Sequence, residues 1–169
     1  MVKPNIVTEL ISGYMFGFLL SWSAGKTPTL AKHKETVRKH VPAVSEEDFE
    51  SVFRQMVQSR KVMHNPETDC LWISSLQVRR LRFTPARAVG FVFGGLAAAY
   101  SPITQVSHLR VLVGRVWPAA DNYQTLYDAV VGLRRGGHVV SNSRGDDFEQ
   151  WYLSLPKEAV ELDMLTATT

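Results

Sequence analysis

The stretch Gly13-Tyr14-Met15-Phe16-Gly17-Phe18-Leu19 recurs as Gly90-Phe91-Val92-Phe93-Gly94-Gly95-Leu96, and both copies read Gly-aromatic-x-Phe-Gly-x-Leu. The recurrence turns an apolar N-terminal segment into a structural unit, so the chain reads as two versions of one small module. Matching Gly13 to Gly90 is a shift of 77 positions; the same shift sets Phe49 on Leu126, Met56 on Leu133, Val62 on Val139 and Asn65 on Asn142. Two extra residues in the second copy's hairpin then bring Trp72-Ile73 opposite Trp151-Tyr152.

Within each copy the glycines lie four apart, on one face of a helix, where they let another backbone approach closely. Residues 10 to 24 fall short of the roughly 20 apolar residues that a bilayer helix needs. Only Lys3 is basic ahead of them, no small-x-small cleavage site follows, and a targeting signal is not duplicated mid-chain. The segment is therefore expected to be a buried first helix whose glycine face meets a neighbour, the matching face of its twin being the natural one. No membrane partner is expected.

Working outward, residues 8 to 23 predict that helix, with Thr8 as its cap. Residues 29 to 40 predict a second helix, which Pro42 breaks. Ser45 precedes Glu46-Glu47-Asp48, an N-cap followed by acids that suit a helix N-terminus. Phe49, Val52, Phe53, Met56 and Val57 then fall at helical spacing and predict a third helix to about residue 60. Val62-Met63 and Leu71-Trp72-Ile73 are strand-like, joined by turn chemistry over residues 64 to 69. After the connector bearing Arg79, Arg80, Arg82 and Arg87, the order begins again. Thr84-Pro85 opens a helix, Ser101-Pro102 starts the next segment, and residues 106 to 116 form the second helix. Asp121 or Asn122 caps the third, Gly136-Gly137 ends it, and strands over 138–140 and 148–153 flank a longer hairpin.

Helix, helix, helix, hairpin is an order that resembles a winged helix, a helix-turn-helix core followed by a hairpin wing. The expected fold is α+β and mostly helical, with two pseudo-repeated winged-helix modules over residues 1–78 and 79–155. A C-terminal tail, residues 156–169, completes it. The resemblance implies a third helix in the major groove, a wing on the backbone, and basic side chains neutralising phosphates.

The composition bounds the function only loosely. The chain has 169 residues, is 45% hydrophobic and carries a formal net charge of +3. Its one cysteine, Cys70, excludes a disulfide framework, so an intracellular setting (cytoplasm and nucleoid, or nucleus) is expected. Five histidines are scattered without metal-ligand spacing, Asp146-Asp147 reads as a solvated turn, and no glycine-rich loop opens a helix. Neither an enzyme, a cofactor nor a metal is expected.

The most basic stretch is the second helix, with Lys32, Lys34, Arg38 and Lys39 beside His33 and His40. These cations are candidates for phosphate contact. In the second copy Asn122, Gln124 and Thr125 of the third helix suit base edges, while Arg134 and Arg135 of that helix and Arg144 of the longer hairpin suit phosphates. The arginines of the connector fit phosphate contact or a strand alternating with Val78, Leu81 and Phe83. The functional expectation is a non-catalytic binder of double-stranded DNA with a regulatory, replication or maintenance role. The alternative is a protein-interaction scaffold or homo-oligomer, whose partner face would include Tyr127 and Val131.

Overall fold

The computed structural model describes residues 6–22, 28–41, 44–98, 104–141 and 151–156, without the side chains of His40 and Ser75. Helix α1 (Ile6–Ser21) leads to α2 (Leu30–His40), α3 (Glu46–Gln58) and a hairpin of β1 (Val62–Asn65) with β2 (Cys70–Ile73). A single turn of helix, α4 (Ser75–Val78), passes the chain to α5 (Pro85–Ala98). Then come β3 (Thr104–Gln105), α6 (Val106–Val116), α7 (Asp121–Arg135), β4 (Val140–Ser141) and β5 (Tyr152–Ser154). The fold is α+β and mostly helical, with small antiparallel sheets.

The two glycine-bearing helices form the centre. A Cβ on Gly13 would collide with the carbonyl of Arg87, and one on Gly17 with that of Phe91. Reciprocally, a Cβ on Gly90 would strike the carbonyl of Leu10, and one on Gly94 that of Tyr14. The contacting positions rise together, so α1 and α5 run parallel. Adding 77 to one partner and subtracting it from the other carries each contact onto its counterpart. The pair thus has local pseudo-two-fold symmetry, its axis along the helices. Such an approach leaves no room for side chains at the crossing, which is why glycine recurs there. Residues on every other side of both helices are buried as well, so neither shows the polar face of a surface helix.

Around this pair each half is assembled similarly. α1 packs on α3 and α5 on α7, and their buried residues form one continuous core. Ser45 Oγ accepts from the Asp48 amide at 3.1 Å and starts α3, whose buried Phe49, Val52 and Met56 face α1. The chain leaves α3 through Arg60 at φ 60° and leaves α7 through Gly137 at φ 74°, residues again 77 apart. The following amides close the same bond, Lys61 to the Met56 carbonyl and His138 to the Leu133 carbonyl, both at 2.9 Å.

The sheets add a strand that sequence patterning did not reveal. Thr29, between α1 and α2, bridges to Cys70 of β2. In the second half β3, between α5 and α6, pairs with β5, which pairs with β4. The register of the second hairpin also differs from the expected one. Leu30 donates to the Asp69 carbonyl as Val106 donates to that of Trp151, so Asp69 corresponds to Trp151, a shift of 82. Buried Leu71 therefore matches buried Leu153, and the tryptophans do not align. Burial alternation decides the register, since a slip by one residue would turn each strand's core side chain to solvent.

Other boundaries move for local reasons. α1 begins at Ile6, so Thr8 lies inside its first turn. The residue before α7, Ala120, is helical in φ and ψ and makes no side-chain cap; Asn122 instead reaches back to the Trp117 carbonyl at 3.0 Å. Between α4 and α5 the connector is a turn rather than a strand. Pro42, Ser101-Pro102, Asn142, Arg144, Asp146-Asp147, Phe148 and residues 157–169 lie outside the described residues.

Candidate nucleic-acid interface

The basic helix α2 turns out to face acids. Arg38 pairs with Glu46 at 2.9 Å, Lys34 with Glu50, and Lys32 with Glu35 of its own helix at 3.8 Å. The first-turn acids of α3 are thus partly spent on α2, and phosphate would have to displace carboxylates. The exposed pairs of Lys32 and Arg38 stabilise by about 0–1 kcal/mol and cost little to break, while Lys34–Glu50 is half-buried; all three lower the local field. Lys39 is exposed and makes no ion pair among the described residues.

His33 does not belong to a basic face. It is fully buried, its ring centroid 5.6 Å from Tyr14, 4.8 Å from Phe18 and 5.5 Å from Phe49. Neither ring nitrogen has a hydrogen-bond partner. Burial drives its pKa from 6.5 down to about 3, so the ring is neutral. The adjacent Tyr14 phenol is pushed up, burial outweighing its bond to Thr36.

On α7 the candidate base readers are engaged locally. Gln124 Nε2 donates to Asp128 Oδ1 at 2.8 Å, and Thr125 Oγ1 to the Asp121 carbonyl at 3.2 Å. Arg134 lies over the Trp151 ring at 4.8 Å, which joins the end of α7 to the second sheet. Arg135 is exposed and makes no ion pair among the described residues. Of the partner-face candidates, Tyr127 is 36% exposed and Val131 half-buried.

Charge is distributed unequally. Residues 79–141 hold eight arginines, no lysine, and only Asp121 and Asp128 as acids, both on α7. One of the arginines, Arg87, is buried at the α1–α5 crossing, donating through Nε to Ser12 Oγ at 3.0 Å and through Nη1 to the Arg82 carbonyl. Burial lowers its pKa, opposed by nearby Glu9, and Glu9 also accepts from Thr84 at 3.1 Å. Sequence reading missed Arg110, stacked 4.6 Å from the Tyr123 ring, and Arg115 in the last turn of α6. Each stands alone in the sequence, with no basic run to mark it.

Other chemistry is sparse. His64 Nε2 meets Asp69 Oδ1 at 2.9 Å, and that bond, ahead of the smaller effects of the Ala31 amide and nearby cations, holds the Asp69 carboxyl low. Asp69 also accepts from the amides of Leu30 and Ala31, so the pair pins the hairpin turn to the start of α2. Among the described residues no three His, Cys, Asp or Glu side chains could hold a metal ion. Nor is any described helix long and apolar enough to cross a membrane. No protein-family model, curated protein or solved structure matches the chain.

Proposed function

We propose that the chain is a non-catalytic protein that binds double-stranded DNA through two winged-helix modules, in a regulatory, replication or maintenance role. One observation carries the reading. In both halves a short strand or bridge lies between the first and second helices and pairs with the last strand, which in turn pairs with the strand after the third helix. That strand order, with three helices and a terminal hairpin, suits a winged helix. In such modules the third helix and the wing meet the duplex.

The second module is the better candidate for the interface. α3 begins with Glu46, Glu47 and Asp48, which repel phosphate, whereas α7 ends in Arg134 and Arg135. Asn122, Gln124 and Thr125 are assigned to base edges; Arg134, Arg135, Arg144 and Lys39 to phosphates. Lys32, Lys34 and Arg38 contribute less because acids already face them. Titration of a random-sequence duplex should show affinity falling with salt at a slope of about 0.9 per phosphate contacted. Arg135→Glu with Lys39→Glu should weaken binding to every sequence alike. No binding at low salt would end the DNA reading.

A second reading, a protein-binding scaffold, is favoured by the outer faces of the sheets. Exposed Met63 lies opposite exposed Trp72, and Val140 and Tyr152 are exposed on the other sheet. Concentration-dependent sedimentation abolished by Trp72→Asp or Tyr127→Asp, with no duplex binding, would favour it.

A further inference from the structure

We infer that the α4–α5 connector and the end of α6 together form a second phosphate-gripping surface, built from Arg80, Arg82 and Arg115 and set by Arg79. The inference rests on the DNA-binding reading and adds a contact site beyond α7 and its hairpin.

The fold brings these residues together across more than thirty positions of sequence. Arg79 donates through Nε to the Val116 carbonyl and through Nη2 to the Arg115 carbonyl, both at 3.3 Å. Its cation thereby caps the C-terminal end of α6, where unpaired carbonyls and the helix dipole favour positive charge. Two residues on, Trp117 Nε1 donates to the Leu81 carbonyl at 2.7 Å. Phe83 is buried against Trp117, with ring centroids 4.7 Å apart. Buried Arg87 and the Thr84 amide, at 3.1 Å, both bond the Arg82 carbonyl. The connector backbone is therefore held on both sides of Arg80 and Arg82, while the side chains themselves are exposed.

Arg80, Arg82 and Arg115 make no ion pair or side-chain hydrogen bond among the described residues. This is the opposite of α2, where three cations face carboxylates. Arginines used to cover apolar edges would lie along Leu81 and Phe83, but Phe83 is already shielded by Trp117. What remains is a fixed backbone carrying unneutralised guanidinium groups, each able to give paired N–H bonds to phosphate oxygens. Because the backbone is ordered in advance, little backbone conformational entropy is lost when a phosphate arrives, and only the side chains have to be fixed.

The test uses the full chain and a fluorescent random-sequence duplex, with anisotropy read across salt. Arg80→Gln/Arg82→Gln/Arg115→Gln should melt like wild type, since Arg79 still caps α6 and the core bonds are untouched. It should weaken duplex binding at least about tenfold near 50 mM salt, and lower the salt slope by about two to three. Wild-type affinity and slope in this variant, alongside weakened binding in Arg134→Glu/Arg135→Glu, would overturn the inference and leave the DNA reading standing. If wild type ignores the duplex, both fall. Binding to phosphatidylglycerol vesicles but not to duplex, lost in the triple variant, would overturn the duplex as ligand.

Discussion

In the first half Lys32, Lys34 and Arg38 meet carboxylates, whereas in the second half Arg80, Arg82, Arg115 and Arg135 are exposed and make no ion pair among the described residues. In α2 and α3, lysine and arginine meet glutamate across the helix interface; in α6 and α7, Arg110 and Arg134 stack on Tyr123 and Trp151, while Arg79 of the connector bonds the last carbonyls of α6. The cores differ in the same spirit. His33 occupies the place in α2 that Leu109 fills in α6, both fully buried, one ring polar and without a partner. Similar backbones thus carry different chemistry: ion pairs join α2 to α3, whereas α6 and α7 carry arginines stacked on aromatic rings.

The largest test of this comparison strikes what the halves share. Gly17→Ala and Gly94→Ala should each destabilise the protein by about 3 kcal/mol, because the new methyl meets backbone that cannot move independently. An uncrowded helical glycine would instead gain roughly 0.5–1 kcal/mol on conversion to alanine. Urea denaturation decides between these signs. Loss in one variant and gain in the other would show that the crossing is not reciprocal.

Next comes the place where the cores diverge. Neutral His33 in the folded state faces an ordinary histidine in the unfolded chain, so acid favours unfolding. Its contribution to stability should be complete above pH 6.5 and be lost as pH falls towards about 3, by up to about 1.4 kcal/mol per pH unit. His33→Leu, which copies Leu109, should remove that part of the acid dependence in denaturation series at pH 7, 5 and 4. An unchanged acid slope would mean that other groups govern acid unfolding.

The smallest effects concern the matched helix exits. Arg60 and Gly137 share a left-handed backbone, but only glycine adopts it without strain. Arg60→Gly should stabilise by about 1 kcal/mol and Gly137→Ala destabilise by a similar amount. Open space surrounds Gly137, so backbone conformation alone sets the sign there. Thermal melts with shifts in the same direction would break the correspondence.

Much of the architecture was legible because it rests on local signals. Ser45 before three acids marks the start of α3, and the doubled Gly-x-x-x-Gly marks the central crossing. Strands of two residues, such as Thr104–Gln105, carry no periodicity and become visible only through their partners. Trp72 and Trp151 misled the alignment of the hairpins, since identity of a large side chain outweighed burial alternation in the sequence reading. His33 was hidden among lysines, although Leu30, His33, Val37 and Val41 follow one helical face. The site was less legible than the fold. Ion pairs between α2 and α3, and the meeting of Arg115 with the connector, exist only once distant segments are packed.

The reciprocal crossing of α1 and α5 has a consequence for how such a molecule can diverge. Two identical chains joined by this helix pair would have to display every surface twice and would come apart on dilution. With both helices in one chain, association is intramolecular and independent of protein concentration. A charge reversal in one half need not be copied into the other, so the duplicate surfaces are free to serve unlike ligands while a shared seam keeps them in fixed orientation.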